Sequence, residues 1–194
     1  MTISKRGLLS TSSSTLIALS LATSMAVAQT ASPLRFDERW WNQAIHDAER
    51  EGFVAGYLDC LQSAHLGASY ADYIQYVSAN VSDQPDSVPK TIQSATREMK
   101  SKAVLKGGEN WSGPHGFLDG DYWGTGPVNH WLDSQNAFVE GYLACRQPPV
   151  TKRAVDRYTA AINRHYANPK LHRDKIANVL EEIIAHSEKA EPKP

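Results

Sequence analysis

Cysteine is scarce in this chain, with two in 194 residues, so a small domain held by a framework of several disulfides is excluded. Net charge is nearly absent as well. Twenty Lys and Arg stand against 21 Asp and Glu, which gives no overall basic signal for nucleic acid. After Val27 no run approaches the roughly 18 unbroken apolar residues of a membrane-spanning helix. Signatures of several enzyme classes are missing too. There is no Gly-x-Ser-x-Gly elbow, phosphate loop, dinucleotide fingerprint or His-Glu-x-x-His pair. What remains is ordinary globular composition, 41% hydrophobic and 21% charged.

The N-terminus reads as an export signal. Lys5 and Arg6 form a basic start, Leu16 to Val27 is mostly apolar, and Ala26-Val27-Ala28 offers the small-x-small pattern of a cleavage site. Residues 1–28 are therefore expected to be a signal peptide. Their removal takes two basic residues and no acid, so the net charge moves from −1 to −3. No cysteine follows the cut to carry a lipid. The expected location is periplasmic or secreted, with no stable membrane insertion after cleavage and with an environment that permits a disulfide.

The chain repeats itself. Phe53-Val54-Ala55-Gly56-Tyr57-Leu58-Asp59-Cys60 returns as Phe138-Val139-Glu140-Gly141-Tyr142-Leu143-Ala144-Cys145, identical at six of eight positions. Upstream, Phe36-Asp37-Glu38-Arg39-Trp40-Trp41 parallels Leu118-Asp119-Gly120-Asp121-Tyr122-Trp123. Downstream, Tyr73 and Val77 match Tyr158 and Ile162, Pro85 matches Pro169, and Ile92 matches Ile176. Collinear similarity of this kind predicts two tandem units, residues 34–105 and 117–190, joined by a loop over 106–116. A disordered tail is expected over 191–194.

Each unit reads as about three helices. Apolar residues from Trp41 to Leu61 follow a helical stripe over about 38–64. Ser69 is placed to cap a second helix bearing Tyr73 and Val77, and Ser87 with Pro89 starts a third. In the second unit, Pro148-Pro149 stops the octapeptide helix and Thr151 caps the next. Asn168-Pro169 is expected to open the last helix, with Ile176, Val179, Leu180, Ile183 and Ile184 on one face. The predicted fold is all-α, two tandem three-helix units packed about a pseudo-twofold axis. A mid-helix glycine costs about 1 kcal/mol against alanine, which makes sense where helices cross closely. Gly56 is thus expected to face Gly141, with Cys60 bonded to Cys145. Two buried free thiols are the alternative.

Residues 107–130 hold seven glycines and two prolines together with Trp111, Phe117, Tyr122 and Trp123. A long aromatic loop of this kind suits partner or ligand contact. Trp111, His115, Trp123 and Trp131 are the candidate binding residues. Asp119, Tyr122 and Trp123 also echo Asp37, Trp40 and Trp41, so helix packing is an alternative role. His115, Asp119, Asp121 and His130 could in principle serve acid–base or metal chemistry, but no complete ligand spacing is present, and no metal or cofactor is expected. The remaining histidines read as surface or ordinary packing, and Glu181-Glu182 as a solvated helix face.

The repeated Phe-Val-x-Gly-Tyr-Leu-x-Cys helix, followed by an aromatic amphipathic helix, a proline-bearing turn and a further helix, resembles the small periplasmic immunity proteins that neutralise type VI secretion amidase effectors. The resemblance covers about 60 residues of each unit. It implies an exported helical domain that binds a toxin by plugging its active site. This chain differs from that family in being doubled and in lacking its additional cysteines, and no individual binding residue is carried over. The leading expectation is a non-enzymatic protein that binds a protein partner in the cell envelope by steric occlusion. An envelope enzyme acting on peptidoglycan or glycan through the central His/Asp loop is the alternative, and a small-ligand binder a third.

Overall fold

The computed structural model describes residues 32–44, 47–61, 68–105, 118–125 and 132–190. The expected signal peptide, the 106–116 loop and the 191–194 tail lie outside them. Among the described residues the fold is all-α, with no strand. Two isolated backbone bridges, Pro33 to Thr151 and Asp119 to Lys175, are its sole extended pairings.

Among the described residues eight α-helices follow one another: α1 Glu38–Gln43, α2 Asp47–Cys60, α3 Tyr70–Asn80, α4 Ser87–Leu105, α5 Gly120–Thr125, α6 Leu132–Arg146, α7 Lys152–Tyr166 and α8 Ile176–Ala190. Local chemistry sets several boundaries. Asp37 caps α1 by accepting from the Trp40 amide at 3.1 Å. Ser69 and Asp72 form a reciprocal capping box on α3. The Thr151 side chain accepts from the Ala154 amide at the start of α7. These two caps stand where the sequence places them.

Two expected boundaries are displaced. The single helix over 38–64 is two helices, because α1 ends at Ala44, whose ψ of 109° is not helical. Pro169 opens a 3-10 turn, Pro169–Leu171, and the last helix begins only at Ile176.

The core is centred on α2 and α6, which pack on each other more extensively than any other pair. They run in the same direction. Gly52 lies against Ser134, Gly56 against Phe138, and Cys60 is bonded to Cys145, so contacts advance together along both helices. A Cβ placed on Gly56 would collide with the carbonyl of Phe138, and one on Gly141 with the carbonyl of Phe53. Glycine at these two positions lets the backbones touch. The expected pairing of Gly56 with Gly141 is thereby corrected. Each glycine meets the phenylalanine that precedes the other glycine by three residues, an offset arising from the crossing of two parallel helices.

The remaining helices cover this pair. α3 packs on α2 and α4, while α7 packs on α6 and α8. Backbone hydrogen bonds tie the short helices to the long ones in a matching way. The Phe36 carbonyl accepts from the Val88 amide at 2.9 Å, and the Leu118 carbonyl from the Ile176 amide at 2.8 Å. Phe36 and Leu118 each precede a capping aspartate, and four residues beyond the two bonded amides Ile92 and Leu180 are both fully buried.

No helix among the described residues is long and apolar enough to cross a membrane.

Candidate functional site

Between α4 and α6 the described residues are 118–125, which contain α5. Six residues are too few for an isolated helix to hold in water, so tertiary contacts must fix it. Asp119 caps it, its Oδ1 accepting from the amides of Asp121 at 3.0 Å and Tyr122 at 3.2 Å. The Gly120 amide donates to the His172 carbonyl at 2.9 Å, alongside the bond from Ile176 to Leu118. Tyr122 and Trp123 then enter the core.

Trp123 is 2% exposed. Its ring meets Phe138 edge-on at 5.9 Å, and its indole N–H donates to Asn163 Oδ1 at 2.7 Å. This corrects its expected place on a contact surface. The side chain is spent on anchoring, because a buried indole with its N–H satisfied has no face left for a partner. Trp41 in α1 does the same, donating to Ser78 Oγ at 2.9 Å. Ser78 and Asn163 occupy matching places on α3 and α7, which makes the packing alternative the better account of Trp123. Trp111, His115 and Trp131 lie outside the described residues.

The central acids are likewise engaged. Asp119 is a helix cap, and Asp121 Oδ1 lies 3.5 Å from His172 Nδ1. His115 and His130 lie outside the described residues, and no group of three His, Cys, Asp or Glu residues is placed to hold a metal among the described ones. Of the histidines read as ordinary packing, His165 contacts Asp174 Oδ2 at 2.9 Å and His172 contacts the Tyr166 carbonyl at 2.8 Å. Glu181 is more than a solvated helix face. It accepts from the Tyr142 hydroxyl at 2.9 Å and from Arg146 Nε at 2.9 Å, and these bonds hold its carboxyl below the usual carboxylate range.

Two carboxyl groups stand out that no sequence motif marks. Asp59 lies one residue before the disulfide-bonded Cys60, and its Oδ2 is buried with no hydrogen-bond partner among the described residues. Burial pushes its pKa up to about 7, against a smaller pull downward from Lys175. Its charge in turn bears on the hydroxyls of Tyr70, Tyr122, Tyr142 and Tyr166, from four different helices, and raises their pKa values further than burial alone. Glu140, on α6, is also pushed up to about 7, first by burial and then by Glu49, Asp156 and Asp133, with Lys152 opposing. The signal that could have exposed them is the octapeptide itself. Its two mismatches are Ala55 against Glu140 and Asp59 against Ala144.

Surface clefts are present among the described residues. One of about 190 Å³ lies among α6, α7 and α8, lined by Leu143, Val150, Arg157 and Tyr158. Another, of about 400 Å³, is lined by Arg35, Arg39, Trp40 and Asp83, with Arg35 held at 3.0 Å from Asp37.

No protein-family model matches the chain, and no curated protein or solved structure does either.

Proposed function

We propose that this chain is an exported, non-enzymatic helical protein that binds a protein partner in the periplasm or outside the cell, with immunity-like inhibition by steric occlusion as its action. The observation that carries this reading is the anchoring of α5. Tyr122 and Trp123 are buried and Asp119 caps α5, so the short helix is pinned to the covalently linked α2–α6 frame. The stretches that flank it in the chain carry Trp111 and His115 on one side and Trp131 on the other. The aromatic side chains of these flanking stretches are the ones this reading assigns to the partner.

The two halves are read as tandem copies related by a pseudo-twofold axis parallel to α2 and α6. The paired capping aspartates, the paired buried tryptophans and the reciprocal glycine contacts support this. The test is affinity capture with the oxidised, processed chain as bait in an envelope extract of its own source. One near-stoichiometric partner, lost with Trp111→Ala and Trp131→Ala at unchanged melting temperature, supports the reading. A partner retained by both variants removes the surface assignment.

A further inference from the structure

Trp40 and Trp41 are neighbours in α1, so helix geometry turns their side chains about 100° apart. Trp41 is fully buried, and its indole N–H is bonded to Ser78. Trp40 is left at the edge of the core. Part of its ring packs on Phe36, edge-on at 5.2 Å, and on Phe53 at 4.8 Å. The rest lines the cleft of about 400 Å³, and its indole N–H makes no hydrogen bond among the described residues. Arg39 and Gln43 lie one helical turn apart in α1 and line the same cleft. Both are exposed, and neither side chain has a partner among the described residues.

The turn after α3 supplies Asp83. Two contacts fix this turn against α1. The Glu38 amide donates to the Ser82 carbonyl at 3.0 Å, and Arg35 Nη2 to the Asp83 carbonyl at 3.5 Å. The backbone walls of the cleft are therefore preformed, and a ligand need not order them.

Packing does not require this arrangement. In the matching stretch Tyr122 takes the place of Trp40 and is only 3% exposed. Gly120 takes the place of Glu38, and a Cβ there would lie 2.7 Å from the Tyr166 ring and 2.8 Å from the His172 backbone. Asp121 takes the place of Arg39 and lies 3.5 Å from His172. α5 is thus covered where α1 is open.

The open side has a definite chemistry. Arg35 is neutralised by Asp37 at 3.0 Å and Arg39 is balanced by Asp83, so the cleft has no net charge to attract an ion. Its one apolar surface is flat and aromatic, and every other lining side chain carries hydrogen-bonding groups. An apolar peptide would find no second pocket there. A sugar ring suits both features, since its C–H face stacks on an indole while its hydroxyls donate and accept. The volume of about 400 Å³ also falls within the roughly 300–1,000 Å³ of small-ligand sites.

We propose that this cleft binds one ring of an uncharged glycan, stacked on Trp40, with its hydroxyls held by Arg39, Gln43 and Asp83. The Arg39 guanidinium and the Gln43 amide N–H groups donate, and Gln43 Oε1 and the Asp83 carboxylate accept. None of these residues is among those assigned to the protein partner, so the glycan site and the occlusion surface stand or fall separately.

The experiment is titration of the oxidised, ¹⁵N-labelled chain with the β-1,4-linked tetramers of glucose and of N-acetylglucosamine, and with tetragalacturonate as an acidic control. The Trp40 indole signal, assigned with Trp40→Phe, is expected to shift with at least one neutral tetramer at millimolar concentration, while those of Trp41 and Trp123 stay in place. The tetramer that shifts it tells a plain glucan from an amino-sugar strand. Arg39→Ala with Gln43→Ala, at two exposed positions, is expected to weaken this binding at least about tenfold at unchanged melting temperature. No shift of the Trp40 signal with either neutral tetramer overturns the site. So does a shift that the double variant retains at full affinity, or tighter binding of tetragalacturonate.

Discussion

The α-carbon of Gly56 rests against the carbonyl of Phe138, and the same contact is made in reverse between Gly141 and Phe53. Because the obstacle on each side is backbone and not a movable side chain, the contact leaves no room for a methyl group. Gly56→Ala and Gly141→Ala are each expected to destabilise the protein by about 2–3 kcal/mol, despite alanine's better helix propensity, since overpacking at a rigid contact outweighs it. Chemical denaturation of the two variants checks this. A stabilised variant would show that the helices are further apart.

The Cys60–Cys145 bond joins α2 and α6 across a separation of 85 residues. Closing so long a loop restricts the unfolded chain. Cys60→Ser with Cys145→Ser is therefore expected to lower stability by about 2–5 kcal/mol. Because glycine contacts and the buried core also hold the pair, the reduced protein should keep its helical circular dichroism at low temperature. Complete loss of helix on reduction would assign the fold to the disulfide alone.

Trp123 tests the anchor. Trp123→Phe keeps an aromatic ring against Phe138 but leaves the buried Asn163 Oδ1 without its donor, and is expected to cost about 1–2 kcal/mol. Trp123→Ala removes the ring as well and should cost about 3–5 kcal/mol. Equal effects of the two would mean that ring packing contributes nothing.

Much of the architecture is legible in local chemistry. Ser69 and Thr151 cap helices because their hydroxyls meet orphan amides, a rule needing only a few residues of context. The octapeptide and its cysteines identify the central pair and the disulfide. Other features depend on tertiary packing. The break after Gln43 interrupts an apolar stripe that continues through it, so periodicity alone does not reveal two helices. α5 has the glycine content of a loop and becomes helical because Tyr122 and Trp123 have a core to enter.

The start of α8 has a similar origin: a 3-10 turn over Pro169–Leu171 precedes it, whereas α4 begins at Ser87, and the Ile176 amide is held by the Leu118 carbonyl. At the candidate site Trp123 is the residue least legible in sequence, because its aromatic character suits an exposed contact and a buried anchor equally. Asp59 and Glu140 are not legible in sequence because an acid on a helix is usually solvated, and only the tertiary packing around these two desolvates them.

The most direct test of the account separates anchor from contact by measuring affinity for the captured partner. Trp111→Ala with Trp131→Ala is expected to weaken binding at least tenfold, about 1.4 kcal/mol or more, while leaving the melting temperature unchanged. Trp123→Phe is expected to lower the melting temperature while the fraction that remains folded binds normally. If the Trp111 and Trp131 variant binds as tightly as the wild type, the flanking stretches are not the contact surface and occlusion by them is contradicted.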